Sequence, residues 1–230
     1  CRCHSYFMHE AKQDDTIFTP MQKNKAAIIL ISFFMVLGIA FLSYYYVTFM
    51  NQPKRLKYYG NPGHKVESFS FINQLGKVST EKDVEGKIYA VEYFFTTCKG
   101  ICPKLNDNMS KVYAAFRGQS DFAILSHTVH PEVDTAEQLY RYALTYDADP
   151  KQWLFLTGSR QELYSMAINS YLVAAVEDTT KKEILPDFIH TKYFVLVDKE
   201  KHIRGIYDGT DPATVQKMIS DVQTLRKEYN

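Results

Sequence analysis

The chain of 230 residues carries 27 Lys and Arg and 26 Asp and Glu, but no charge lies between Ala26 and Met50. Glycine and proline are scarce, at 10 and 8 residues, which excludes collagen-like and low-complexity classes. Four cysteines are too few for a small domain held together by disulfides. The net charge of +1 excludes bulk electrostatic attraction to nucleic acid or to anionic lipid.

The charge-free stretch is strongly apolar, since 21 of its 25 residues are apolar. About 20 apolar helical residues are enough to cross a bilayer core of about 30 Å. The run continues into Tyr44, Tyr45 and Tyr46, which are typical of a membrane–water boundary and not of a signal-peptide cleavage site. Residues 26–50 are therefore predicted to be an uncleaved transmembrane anchor. Basic residues flank both ends, so charge does not decide its orientation.

The anchor divides the sequence into four predicted segments. Residues 1–25 form an N-terminal tail, and Met21, shortly before the anchor, indicates that the natural chain starts there. Residues 51–65 contain two prolines and two glycines and are predicted to be a linker. Residues 66–230 are numerous enough to bury one hydrophobic core without disulfides.

Short apolar runs alternate with helical patterns after residue 66, which predicts an α/β sheet that ends in a hairpin and a helix. Strands are predicted at 69–72, 77–79, 87–95, 122–129, 153–157, 193–197 and 203–207. Helices are predicted to begin near Pro103, Asp134, Ser159 and Asp211. Asp134 and Ser159 are each followed three residues later by glutamate, which is the pattern of a capping box.

Cys98 and Cys102 lie where a predicted strand gives way to a predicted helix. Backbone N–H groups at a helix N-terminus favour a thiolate, which both attacks disulfides and binds soft metals. Gly100 is expected to let the loop between them turn sharply. The domain has no second cysteine pair, so a zinc ribbon is excluded. A metal site, a redox pair and two structural cysteines remain open from the spacing.

The segment Phe94-Phe95-Thr96-Thr97-Cys98-x-x-Ile101-Cys102-Pro103 resembles the signature of the Sco/SenC family. These proteins are membrane-anchored, thioredoxin-fold copper chaperones for cytochrome c oxidase. The resemblance continues through residues 125–134, 149–158, 189–198 and 204–209 and covers essentially all of residues 66–230. It implies a thioredoxin-like α/β fold in which Cys98, Cys102 and His190 bind copper as Cu(I), Cu(II) or both.

The resemblance also implies a function and a location. The protein is expected to deliver copper to the binuclear copper site of cytochrome c oxidase. Its expected partners are the subunit that holds that site, a copper donor and a thiol reductant. Residues 51–230 are expected to face the periplasm from the inner membrane, or the intermembrane space if the protein is mitochondrial. The alternatives are a thiol–disulfide oxidoreductase that uses Cys98 and Cys102 without His190, and a redox or copper sensor.

The sequence departs from the family pattern at one position near the predicted site. His130 stands where the family often has aspartate, and it is either an additional nitrogen near the copper or a solvated loop histidine. A second feature separates the chain from thioredoxin-like reductases, which carry a cis-proline beside their redox pair. Ile189-His190-Thr191 lies in the corresponding region without a proline, which favours a metal site over a general reductase.

Overall fold

A computed structural model of the chain describes residues 25–50, 55–173 and 191–229. The chain divides into two compact units, Cys1–Gln52 and Pro53–Asn230. The predicted tail up to residue 24 and the predicted copper ligand His190 lie outside the described residues.

The first unit contains one uninterrupted helix, α1, which spans Lys25–Met50. The hydroxyls of Ser32, Ser43 and Thr48 donate hydrogen bonds of 2.7–2.9 Å to carbonyls three or four residues earlier. Even the polar side chains of α1 are therefore satisfied inside the helix, as a lipid environment requires. The helix is long and apolar enough to cross a membrane, at the position that the sequence predicts.

The second unit is built from seven strands and four helices in its described part. The strands are β1 (Ser70–Asn73), β2 (Val78–Thr80), β3 (Ile88–Phe94), β4 (Phe122–Thr128), β5 (Trp153–Thr157), β6 (Tyr193–Val197) and β7 (Ile203–Asp208). The helices are α2 (Cys102–Phe116), α3 (Ala136–Thr145), α4 (Arg160–Ser165) and α5 (Pro212–Glu228), and a π-helical turn at Met166–Ser170 extends α4.

All seven strands form one sheet in the order β2-β1-β5-β4-β3-β6-β7. The three inner strands β3, β4 and β5 are parallel, whereas β1 and β2 at one side and β6 and β7 at the other are antiparallel to their neighbours. Parallel strands that are buried on both faces are continuous apolar runs, and every residue of β3 and β4 is buried. The predicted α/β sheet is confirmed.

Alternate residues of the inner strands face two separate cores, because side chains of a strand point to opposite faces. Ile88, Ala90 and Phe94 of β3 face a core formed with α2, α3 and α5. Tyr89, Val91 and Tyr93 face a second core formed with α4 and the chain before β1. We call these the α2-side core and the α4-side core.

The segment from residue 55 to residue 66, here called the N-terminal strap, has no regular secondary structure but is bonded to the rest of the domain. The backbone N–H of Leu56 donates to Glu228 at the end of α5, and its carbonyl accepts from Arg204 in β7, both at 2.9 Å. Arg204 is buried and ion-paired with Asp198 and Glu228. The guanidinium also lies 4.2 Å from the ring centroid of Tyr58.

The observed helix starts agree with those predicted from the sequence, except for the residue that caps α3. Ser159 and Asp211 cap α4 and α5 as predicted, by accepting from the N–H groups of Glu162 and Ala213. The capping box predicted at Asp134 is wrong. The cap of α3 is the next residue, Thr135, whose hydroxyl accepts from Gln138 N–H at 3.3 Å. Asp134 is instead buried, because its carboxylate forms other hydrogen bonds inside the domain.

His127 in β4 is fully buried among aromatic residues of the α4-side core. Its ring stacks on Tyr93 with centroids 5.1 Å apart, and meets Phe71 and Tyr171 at 5.3 and 5.5 Å. Neither ring nitrogen has a hydrogen-bond partner among the described residues. Burial lowers the pKa of His127 from 6.5 to about 3, so the imidazole is neutral in the folded domain.

We expect His127 to make the domain less stable in acid. Between pH 6.5 and 3 the unfolded chain binds a proton at this residue and the folded chain does not, so the free energy of unfolding falls as pH falls. The loss is about 2 kcal/mol between pH 6.5 and 5. Urea unfolding should therefore show that the free energy of unfolding of His127→Phe minus that of wild type rises by about 2 kcal/mol as the pH falls from 6.5 to 5. His64→Phe is the control, and a wild-type slope in His127→Phe would contradict the assignment.

Candidate functional site

Cys98 and Cys102 lie at the carboxyl end of β3, where the chain turns into α2. A backbone hydrogen bond of 3.3 Å from Cys98 N–H to the carbonyl of Phe95 closes the turn before the first cysteine. Helix α2 then starts at Cys102, with Pro103 in its first turn. No side chain caps this helix, so its first N–H groups are available to the sulfurs.

The two cysteines form one thiol pair with different exposure. Cys98 is half-buried, whereas Cys102 is only 3% exposed and packs in the α2-side core. Both are free thiols, and their side chains are hydrogen-bonded to each other. The loop does not need glycine for this arrangement, contrary to expectation: Gly100 has no left-handed φ, and a Cβ there would contact nothing.

The pKa of the Cys98 thiol lies below its ordinary value. Partial burial raises it, but hydrogen bonds from the Cys102 side chain and from the backbone N–H groups of Cys102, Gly100 and Ile101 outweigh that effect. The helix N-terminus therefore stabilises a thiolate at Cys98, as the sequence predicts.

The Cys102 thiol has the opposite tendency. Burial, followed by the hydrogen bond with Cys98, raises the pKa of Cys102 to about 12, and the nearby charges of Cys98 and Glu92 add to the rise. Cys98 is therefore the thiol of the pair that loses its proton more readily. Cys102 stays protonated near neutral pH and must lose its proton before it can bind a metal or attack a disulfide.

Glu92 is a buried carboxyl on the α2 side of β3, two residues from both Ala90 and Phe94. Its Oε1 accepts a 2.6 Å hydrogen bond from Ser126, whose hydroxyl accepts in turn from the indole N–H of Trp153. Its Oε2 has no partner among the described residues. Burial raises the pKa of Glu92 to about 7.

Asp134 was missed as a site residue because its spacing to Glu137 predicted a helix cap. Its carboxylate accepts hydrogen bonds from the Thr96 backbone and hydroxyl, two residues before Cys98. The sequence carried no signal for this role, because aspartate is at least as good an N-cap as the threonine that follows it. His130, the departure from the family pattern, lies after β4 with its ring 6.3 Å from the Phe95 ring centroid.

Within residues 25–50, 55–173 and 191–229, no three His, Cys, Asp or Glu side chains converge on a point where a metal could bind. The described part of the site therefore contributes the two sulfurs Cys98 and Cys102. Two sulfurs that are hydrogen-bonded to each other, one of them exposed, can chelate a soft metal ion or close to a disulfide.

The comparisons with known proteins all point to one family. A model of the SCO1/SenC family matches residues 59–227. A Bacillus subtilis protein described as an SCO1 protein homolog is 29% identical over 163 residues, which is 70% of this chain and 82% of the relative.

Solved structures agree in fold with the described domain. BsSco, a member of the Sco family of cytochrome c oxidase assembly proteins in which a disulfide switch was identified, is 29% identical with a TM-score of 0.60, over 75% of this chain and 98% of that one. Copper-bound ScoI of Arabidopsis thaliana is 26% identical with a TM-score of 0.54, over 70% and 98%. These likenesses confirm the thioredoxin-like α/β fold.

We expect Cys98 to react with iodoacetamide at pH 7 at least about tenfold faster than Cys102, because Cys98 is only half-buried and has a lowered pKa, whereas Cys102 is buried and has a raised pKa. Mass spectrometry of peptides after timed alkylation measures both rates. Cys102→Ser should keep the fast reaction and Cys98→Ser should lose it. Equal rates at the two sites would contradict the assignment of the nucleophile.

We expect Glu92 to oppose folding at alkaline pH. Its folded pKa is raised from 4.5 to about 7, so its contribution to stability is fully present below pH 4.5 and is lost as pH rises through 7. The loss is about 3 kcal/mol between pH 4.5 and 8. Urea unfolding should therefore show that the free energy of unfolding of Glu92→Gln minus that of wild type rises by about 3 kcal/mol between pH 4.5 and 8. Glu162→Gln, on an exposed residue, is the control, and equal slopes for wild type and Glu92→Gln would rule the effect out.

Proposed function

The chain belongs to the SCO1/SenC family, and we propose that its domain binds copper through Cys98, Cys102 and His190 and delivers it to the binuclear copper site of cytochrome c oxidase. The observation that carries the proposal is the thiol pair at the start of α2, with a half-buried, acidic Cys98 bonded to a buried Cys102. BsSco belongs to a family of oxidase assembly proteins, and Arabidopsis ScoI holds copper.

The donor chemistry fits copper. Two thiolates and one imidazole are a soft to borderline set that suits Cu(I) and can hold Cu(II). Binding requires both cysteines to be reduced and deprotonated, so copper loading and the redox state of the pair are linked. A thiol reductant is therefore a necessary partner, together with a copper donor and the oxidase subunit that accepts the metal.

The path of the chain supports His190 as the third ligand. Strand β6 starts at Tyr193 and is antiparallel to β3, with Val91 paired to Val195. The same register, continued, sets residue 191 beside residue 95, at the edge of the sheet where the Cys98 loop begins. Thr191 is buried, and its hydroxyl accepts from Tyr193 N–H at 3.1 Å.

A site with three protein ligands suits transfer. It leaves a position open for a ligand of the acceptor, so copper can pass between proteins without being released to water. Cys98 is the ligand that an acceptor can reach, because it is only half-buried whereas Cys102 is buried. We place the domain outside the cytoplasm, in the periplasm or in the intermembrane space if the source is mitochondrial, with α1 as its single inner-membrane anchor.

The acidity of Cys98 also favours a second function, reduction of disulfides in the oxidase subunit or in a copper carrier. The Cys98 thiolate would attack one sulfur of the target disulfide and release the other as a thiolate. Cys102, after losing its proton, would attack the Cys98 sulfur of the mixed disulfide and release the reduced target. This reaction does not need His190. A sensor would load copper in the same way but pass none to an acceptor.

We expect the reduced, anaerobic protein to bind one copper ion. The full chain in detergent should be used with Cys1→Ser and Cys3→Ser, so that only Cys98 and Cys102 remain as thiols. Cys98→Ser and Cys102→Ser should each abolish tight Cu(I) binding, and His190→Ala should weaken it and Cu(II) binding by at least about tenfold. Titration against a chromogenic copper chelator measures each affinity.

Several results would contradict parts of the proposal. Undiminished affinity in His190→Ala would remove His190 from the site. A wild-type protein that binds no copper but cycles readily between dithiol and disulfide would favour the reductase. His202→Ala is the matched histidine control and should leave copper affinity unchanged, because His202 precedes β7 at the other end of the sheet.

A further inference from the structure

Asp134 is a carboxylate with no exposed surface, located after β4 and before α3. Among the described residues it has no ion-pair partner. A buried carboxylate is costly unless hydrogen bonds replace its lost water. Loss of any of these hydrogen bonds would leave a buried carboxylate oxygen without a partner, which costs free energy. The groups that donate to Asp134 are therefore held in fixed positions.

Two threonines supply these hydrogen bonds, Thr96 in the turn after β3 and Thr128 at the end of β4. The Thr96 hydroxyl donates to Oδ1 at 2.5 Å, and the Thr96 backbone N–H donates to Oδ2 at 3.1 Å. The Thr128 hydroxyl donates to Oδ2 at 2.5 Å. Each threonine hydroxyl also accepts one hydrogen bond, Thr96 from the Gln138 side chain and Thr128 from His130 N–H.

Thr96 lies inside the turn that presents the first sulfur. The turn runs from Phe95 to Cys98 and is closed by the hydrogen bond from Cys98 N–H to the Phe95 carbonyl. The carboxylate of Asp134 accepts hydrogen bonds from this turn, one from the backbone and one from the side chain of Thr96. Cys102 is fixed separately, because it begins α2 and is packed in the α2-side core.

We propose that Asp134 is a positioning residue which, through Thr96, sets the position of the Cys98 sulfur relative to that of Cys102. A bound metal or a disulfide requires the two sulfurs to lie at a particular separation and orientation. If the folded protein already holds them in that geometry, both the metal affinity and the tendency to form the disulfide are raised. The effect on copper rests on the proposed function. The effect on the disulfide does not, since it needs only the two thiols.

The disulfide readout is a balanced exchange with glutathione. The protein dithiol and one molecule of glutathione disulfide give the protein disulfide and two molecules of reduced glutathione. A looser Cys98 turn lowers the effective concentration of one sulfur at the other, so the equilibrium constant for this oxidation falls. Cu(I) affinity should fall for the same reason.

The test compares Asp134→Asn, Thr96→Val and Thr128→Val in the full chain with Cys1→Ser and Cys3→Ser. The two threonine variants are matched, because each deletes one hydroxyl that donates to Asp134 and accepts one further hydrogen bond. Both should lower the melting temperature to a similar extent. Only Thr96 belongs to the turn that carries Cys98, so only its loss should affect the sulfurs.

We expect Asp134→Asn and Thr96→Val to lower the equilibrium constant for oxidation by glutathione disulfide about tenfold, which corresponds to about 30 mV in reduction potential. For Thr128→Val, the same equilibrium constant should stay within about twofold of the wild-type value. Equal shifts in both threonine variants would reduce Asp134 to a structural role, and no shift in Asp134→Asn or Thr96→Val would overturn the proposal. If the wild type binds no copper but the disulfide shifts occur as expected, the copper function fails and the positioning role stands.

Discussion

The parallel pairing of β3 with β4 is the constraint on which the site depends. The two strands pair over seven residues, from Ile88 with Phe122 to Phe94 with Thr128. Since parallel strands end at the same edge of a sheet, the loop that carries Cys98 and the loop that carries Asp134 must emerge side by side. The antiparallel strand β6 starts at this edge, so a third stretch of chain converges there. The two cysteines therefore lie at the edge where a fully buried pair of strands ends.

Much of this arrangement could be predicted from the sequence, because it follows from local patterns. Apolar runs of β-branched and aromatic residues predict the inner strands, and the position of Cys98 between a strand and a helix predicts its acidity. The role of Asp134 could not be predicted in this way. An aspartate three residues before a glutamate fits a helix cap, and only the tertiary pairing of β3 with β4 turns its carboxylate toward Thr96. Tertiary contacts here override a local preference.

The protonation states of the buried groups Glu92 and His127 could not be predicted from sequence patterns for the same reason. Each lies in a fully buried strand, and burial, which depends on the whole sheet, sets its protonation. They face opposite cores, and burial favours the neutral form of both. Between pH 6.5 and 4.5 acidification stabilises the folded state through Glu92 and destabilises it through His127. The two contributions oppose each other, so the stability of the wild-type domain is less sensitive to pH than either group alone would make it.

The N-terminal strap has a mechanical consequence. Tension applied to the chain before residue 55 enters the domain through Leu56, which is bonded to Glu228 and Arg204. Tyr89 at the start of β3 pairs with Val197 at the end of β6, next to Asp198 of the Arg204 ion pair. The strap is therefore attached at one end of β3 and the Cys98 turn at the other, about 20 Å away along seven residues of strand. A pull on the chain before residue 55 is therefore borne by the last turn of α5 and by β7, and not by the turn that carries Cys98.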